Sequence, residues 1–507
     1  MSLVQHAPRF STDDAGRLAQ QYFGISGVSR ALPSERDQNF LIRTSAGEAR
    51  VLKIANGLEA AALIDAQQRA LRHLATAGAV SELCPQVVLT TLGEDCAPIA
   101  GPDGRQHWLR MLTYVPGTPV AIVRPHTPGL MASIGRAMGE LDRALATFDD
   151  PALHRDFHWD LAHASVVINQ FKGEIADPAR RALVERHLAR FEHTSASMLA
   201  GVRRGIIHGD ANDYNLLAGD GDDLASLHQS ISGILDFGDM VWSYRVGDLA
   251  IAAAYALLDK PDPLATVMQV TGGYHAVYPL EENEIAVLWA LICMRLCMSV
   301  CHAAHQRRLE PQNEYLSVSE RPAWEALHRL DQLNAQLAHY ALRDACGLEP
   351  CPRNTAVVSW LQSGAVQVAP VVAGIRPSDK VAVVDLSVGS TLLTPQILLD
   401  GGVAALSAAI DGAIRAQGAN VGIGGNDEVR AIYSGAAFAL DESPTGPRRT
   451  VHLGIDIFAP AGTPVYAHST VSCMPPPRIR RITTMVPCSY YGTRQGTANP
   501  SSPSLAT

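Results

Sequence analysis

The run His208-Gly209-Asp210-Ala211-Asn212-Asp213-Tyr214-Asn215 places an imidazole, a carboxylate and an amide oxygen in one short loop. It follows the apolar stretch Gly205-Ile206-Ile207, which reads as a strand, and polar residues at strand ends are where chemistry is usually done. In the spacing HxDxxxxN, Asp210 can face a hydroxyl whose proton it accepts, while Asn215 offers an oxygen to a hard cation. A second apolar strand ends in Leu235-Asp236-Phe237-Gly238-Asp239, where Asp236 supplies an anionic ligand able to bridge magnesium and a phosphate. Upstream, Lys53 in ARVLKIA lies on a predicted strand, and its long stem can reach nucleotide phosphate oxygens. Asp and Asn also form turns, so each motif alone would mean little. In this order, the set contains the parts that phosphoryl transfer requires: a base, metal ligands and a phosphate-binding lysine.

Elements that would hold these residues are legible around them. NFLIRT and ARVLKIA alternate apolar and polar residues across a short turn, SAGE, and predict a hairpin. Leu58 to Ala77 has helical spacing and ends at Gly78, and an acid on that helix is expected to hold Lys53. Asp65 is the best-placed candidate and Glu59 the alternative. PQVVLTT and HWLRMLTYV predict two more strands before the turn Pro116-Gly117. Helical periodicity then dominates near 129–147, 178–200, 247–258, 283–308 and 320–345.

Length and composition bound the rest. A chain of 507 residues exceeds one core, so several domains are expected. With 47% apolar and 18% charged residues it should fold, and a formal charge of -9 gives no general attraction to nucleic acid or anionic lipid. The N-terminus lacks the pattern of a signal peptide, and apolar runs of membrane-spanning length are broken by charge. Nine cysteines without paired spacing suit reduced thiols, so the expected compartment is the cytoplasm. Cys293, Cys297 and Cys301 lie on one helical face, and their cluster with His302 and His305 reads as core rather than as a zinc site.

Residues 20 to 345 resemble the aminoglycoside phosphotransferase and choline kinase superfamily, on VLK around Lys53, HGDANDYN, LDFGD, and GDLA around Asp248. The resemblance implies an α+β, two-lobed protein-kinase-like fold, with a β-rich N-lobe over 1–117 and an α-rich C-lobe over 118–345. It implies Asp210 as base, His208 as an orienting residue, Asn215 and Asp236 as magnesium ligands, and Lys53 on the phosphates of ATP or GTP. MLTYVPG would form the hinge near the nucleotide base, with Met111 and Tyr114 as cofactor contacts. The front loop PSERDQNF departs from a glycine-rich pattern: it has no glycine. ERDQNF, LIDAQ, FHWDLAHA and RLCMSV look most like the hydroxylysine kinase branch, which implies an amine-containing alcohol as acceptor. Antibiotic kinase and silent pseudokinase are the alternative readings. Asp160 and Asp239 are candidates to hold a substrate ammonium, but a structural role is the stronger reading, with Asp160 as the cap of a helix starting at LAHA.

Beyond Leu348 the composition turns to Val, Gly, Ala and Pro, and 346–473 is expected to be a separate, smaller β-rich domain. His452 and Asp456, in HLGID, resemble the first metal motif of lysostaphin-like zinc peptidases. The later HxH of that family does not occur after Asp456, so peptidase activity is not expected. Residues 474–507, rich in Pro, Arg, Ser and Thr, read as disordered and as an aberrant end of a truncated chain. Relatives of this kind resemble the front of fusions that continue into an aminotransferase-like domain.

Overall fold

A computed structural model describes residues 7–464 apart from 35, 103, 222–225, 310–319, 364–371, 373–379, 395, 398–401, 434–437 and 439–448. The expected tail therefore lies outside the described residues. The chain forms two compact units, the first running to Pro352 and the second beginning at Arg353.

The first unit opens with helix α1 (Thr12–Phe23), started by a capping box in which Ser11 and Asp14 satisfy each other's backbone N–H groups. Strands β1 (Val28–Leu32), β2 (Gln38–Arg43) and β3 (Ala49–Ile54) come next, then α2 (Ala61–Leu74), β4 (Val87–Val88), β5 (Ala97–Ala100) and β6 (Gln106–Thr113). They make a six-stranded antiparallel sheet in the order β1-β2-β3-β6-β4, with β5 also on β6. Alternation decides what each face carries. Phe40, Ile42, Leu52, Ile54, Leu109 and Met111 pack with Ala15, Ala19 and Phe23 of α1. Register pairs Leu52 with Met111 and Lys53 with Arg110, so Lys53 and Arg110 share the opposite face.

The chain then passes through β7 (Thr118–Pro119) into α3 (Pro128–Leu145), α4 (Ala164–Phe171) and α5 (Pro178–Thr194). Four short strands, β8 (Arg204–Ile207), β9 (Leu216–Ala218), β10 (Ile231–Ile234) and β11 (Val241–Tyr244), precede α6 (Val246–Ala256), α7 (Pro263–His275), α8 (Glu282–Leu309), α9 (Glu320–Gln332) and α10 (Ala335–Ala345). Strand β8 pairs with β11, and β9 lies between β10 and β7. The two-lobed α+β fold is as expected. The helical stretch expected over 320–345 is two helices, because the Asn334 side chain accepts from the N–H groups of Gln336 and Leu337 and starts a new one.

Helix α8 is long and apolar enough to cross a membrane by length and composition, and 83% of that apolar window is buried inside the fold. It is the core helix of this unit, and Cys293, Cys297 and Cys301 are buried within it. Burial pushes the thiols of Cys293 and Cys301 up to about 12, as suits inert core positions.

The second unit contains α11 (Asn354–Gln362), β12 (Val381–Val384), α12 (Gly402–Ala416), β13 (Val421–Gly424), β14 (Glu428–Val429), β15 (Val451–His452) and β16 (Ile457–Phe458). The runs VAVVDLSV and VHLGIDIF contain β12 and the pair β15 and β16. The β-rich description omits α12, which connects the parallel pair β12 and β13 in a β–α–β crossover. Val384, Ile410 and Ile414 form part of its small core.

Candidate active site

The loop between β8 and β9 carries the base, and the structure shows how it is held. The N–H groups of His208 and Gly209 donate to the two Asp248 carboxylate oxygens at 2.6 and 2.8 Å, so GDLA at the start of α6 anchors the loop from below. His208 Nδ1 accepts from the Asp210 N–H at 3.2 Å and its Nε2 donates to the Leu235 carbonyl at 2.8 Å. This imidazole ties the base to the residue preceding Asp236. Gly209 has φ 82°, and a Cβ there would lie 2.5 Å from the Asp239 carbonyl oxygen, so the two loops touch only because the residue is glycine.

Asp210 Oδ2 accepts from Asn212 Nδ2 at 2.8 Å and from Asn215 Nδ2 at 2.9 Å. With its nitrogen committed to Asp210, Asn215 keeps its Oδ1 for a cation. Asp236 has φ 59°, a strained backbone for a residue with a side chain, of the kind concentrated at functional sites. Its carboxylate is 3.5 Å from Lys53 Nζ, and that ammonium holds it down to about 2. It is therefore a fully ionised oxygen donor, and it and the Asn215 amide oxygen are hard donors of the kind that could hold a divalent cation.

Asp65 does not meet Lys53. It is exposed on α2 and accepts from the Cys96 thiol, with Sγ 3.6 Å away. The α2 residue turned toward the site is Gln67, whose Oε1 accepts from Arg110 at 2.6 Å and whose Nε2 reaches the Gly238 carbonyl at 3.4 Å. Helical phase is the reason, since two residues of offset move a side chain about 200° around the axis. Glu59 lies near Asp37, Arg155, Arg36 and Arg110, and burial raises its carboxyl above the usual range. Met111 also departs from expectation: strand alternation turns it into the core against α1, fully buried, while Tyr114 remains 40% exposed at the hinge. Asp160 caps Ala162 at 2.9 Å and accepts from the Ser243 hydroxyl, a structural role. Asp239 is paired with Arg36.

Gln67 is not the sole unanticipated residue at the site. Arg295, in the middle of α8 and 2% exposed, donates from Nη2 to Asp210 Oδ1 at 2.9 Å and lies over the Trp159 ring at 4.6 Å. Asp210 is thus held at both oxygens, by a cation on one and two amides on the other. Burial pushes its carboxyl up and the Arg295 charge pulls it down, with the net direction upward. An arginine alone in the apolar middle of a helix is the signal that was available, because a buried charge must find a partner.

In the second unit His452 and Asp456 are brought together, with Nε2 3.4 Å from Oδ1. Arg430 sits against them, 2.6 Å from Asp456 and 2.7 Å from Glu428, and Tyr433 Oη is 2.6 Å from His452 Nδ1. The positive charge that a metal would bring is supplied by a guanidinium. Among the described residues no group of three or more His, Cys, Asp or Glu side chains is placed to hold a metal.

Residues 29–280 match the phosphotransferase enzyme family. Hydroxylysine kinase of Mus musculus is 32% identical over 351 residues, covering 64% of this chain and 90% of the relative. The hydroxylysine kinase of Danio rerio is 32% identical over 346 residues, covering 66% and 95%. Among solved structures, amicoumacin kinase hAmiN in complex with AMP-PNP, Ca2+ and Ami aligns with TM-score 0.49 and 14% identity, covering 64% of this chain and 95% of that one. The chain belongs to the phosphotransferase enzyme family and is a phosphotransferase that acts on hydroxyl groups.

Proposed function

We propose that the protein transfers the γ-phosphate of ATP or GTP to the hydroxyl of an amino alcohol or hydroxylated amino acid, in the manner of a hydroxylysine kinase. The observation that carries this reading is the meeting of Lys53 on β3 with Asp210, Asn215 and Asp236 on two loops joined by His208 and Gly209. Asp210 would receive the proton as the acceptor hydroxyl attacks, and its orientation is set by Arg295, Asn212 and Asn215 before substrate arrives. Asn215 and Asp236 would hold magnesium, which when bound neutralises charge on the transferring phosphoryl group. Lys53, already 3.5 Å from Asp236, is within reach of phosphates held there. The hydroxylysine kinase relatives support an amine-bearing acceptor. The second unit is proposed as a non-hydrolytic module in which Arg430 occupies the charge balance of the HLGID motif.

Purified protein is assayed for magnesium-dependent nucleotide consumption with 5-hydroxylysine, ethanolamine, choline, homoserine and aminoglycosides. One amine-bearing alcohol is expected to stimulate turnover, and Asp210→Asn to lower it about a hundred-fold or more. Stimulation by aminoglycosides alone would favour an antibiotic kinase, and turnover unaffected by Asp210→Asn would remove the assigned base.

A further inference from the structure

Donor phosphates lying between Lys53 and the Asn215–Asp236 pair must also be met from the side of the front loop. Loops do this with closely approaching backbone N–H groups, which glycine permits, or with cationic side chains. The segment Pro33-Ser34-Glu35-Arg36-Asp37-Gln38 between β1 and β2 has no glycine, and its cation is Arg36. The Arg36 guanidinium extends to the motif that carries Asp236, with Nη2 2.7 Å from Asp239 Oδ1, three residues further along. Burial works against its charge, and Asp239, Asp236 and Asp37 together outweigh it, so the guanidinium is held above its usual range.

The two ends of this contact are anchored separately. On the loop, the buried Asn56 side chain donates to the Arg36 carbonyl at 3.0 Å, and the Asn56 N–H donates to Asp37 Oδ1 at 3.0 Å. On the other side, Arg155 donates to the carbonyls of Gly238 and Met240 at 3.0 Å, fixing the turn without help from the Asp239 side chain. What remains free to change is the guanidinium itself, 40% exposed at its side chain.

We propose that Arg36 is the clamp for the donor's polyphosphate, and that Asp239 holds the guanidinium in place until a nucleotide takes over as its partner. This rests on the kinase reading. A guanidinium fork matches phosphate oxygens in two parallel hydrogen bonds, a better match than a single carboxylate contact at 2.7 Å. The carboxylate is then a competitor of the ligand, and the two partners of one ion pair have opposite effects on binding. An ion pair with only a structural role would give effects of the same sign.

The full chain is titrated calorimetrically with magnesium and AMP-PNP or GMP-PNP, and separately with the corresponding nucleoside, for wild type, Arg36→Met, Arg36→Lys and Asp239→Asn. Arg36→Met is expected to weaken polyphosphate binding about ten-fold or more while nucleoside binding changes less than about two-fold. Arg36→Lys should restore part of the loss, and it retains a charge if the Met variant folds poorly. Asp239→Asn should strengthen polyphosphate binding. Unchanged binding in Arg36→Met, or weakening in both Arg36→Met and Asp239→Asn, overturns the proposal. If wild type binds neither nucleotide, the kinase reading falls and the clamp with it.

Discussion

At the scale of single residues the site is a problem of holding a carboxylate that must later take a proton. Asp210 has one oxygen on two amides and the other on Arg295, so its orientation is settled before any acceptor is present. Two opposed influences set its proton affinity: burial raises it and the Arg295 charge lowers it. A base works only when ionised, so removing the positive charge must shift the acid limb of activity toward higher pH. Arg295→Gln is expected to lower kcat/KM on the order of ten- to a hundred-fold and to move the acid limb of its pH profile upward, with Arg295→Lys between the two. A loss of activity with an unchanged pH profile would reduce Arg295 to a packing residue. The motif residues His208, Asp210, Asn215 and Asp236 were legible because two short segments contain them all. Arg295, 85 residues from its partner, could be seen only as a lone charge in the apolar middle of α8.

At the scale of elements, close approach of helices shapes the lobe that carries the loops. Helices α3 and α7 meet through glycines: a Cβ on Gly135 would lie 1.8 Å from the Val270 carbonyl oxygen, and one on Gly273 would lie 2.1 Å from that of Ala132. Neither neighbour is a flexible side chain, so the backbones themselves would have to separate. Gly135→Ala is expected to destabilise the protein by about 1–3 kcal/mol, read as a lowered denaturant midpoint, even though alanine is the better helix former. A stabilised variant would mean that this crossing is looser than the contacts indicate. The sequence predicts α3, which Thr127 caps ahead of Pro128, and gives no expectation of α7, which Asp262 caps ahead of Pro263. It shows nothing of which face of α3 finds α7, because that depends on packing partners far apart in the chain.

At the scale of the molecule, every residue assigned to the site, from Arg36 to Arg295, belongs to the unit that ends at Pro352. That unit has its own extensive core, built on α8 and the helices around it, and a second cluster between α1 and the first sheet. The curated hydroxylysine kinases are covered to 90% and 95% of their length, while the match takes in 64% and 66% of this chain. A chain ending after Pro352 is therefore expected to keep acceptor-stimulated turnover within about two-fold and to unfold in one cooperative transition. Loss of soluble expression or of turnover on that cut would show that the first unit depends on the residues beyond Pro352.

The sequence by itself determined the chemistry of the two loops, the division into β-rich and α-rich parts, and the strand alternation that puts Lys53 on the site face. These are local matters: spacing within a loop, period along an element, a cap before a helix. Tertiary structure alone decided that Gln67 rather than Asp65 turns inward, that Met111 faces α1, that Asp239 is occupied by Arg36 and that Arg295 holds the base. Each depends on the rotation of one element against another, where a shift of one or two residues exchanges a buried face for an exposed one. In HLGID the motif was present in the chain, and it was the fold that brought Arg430 to it.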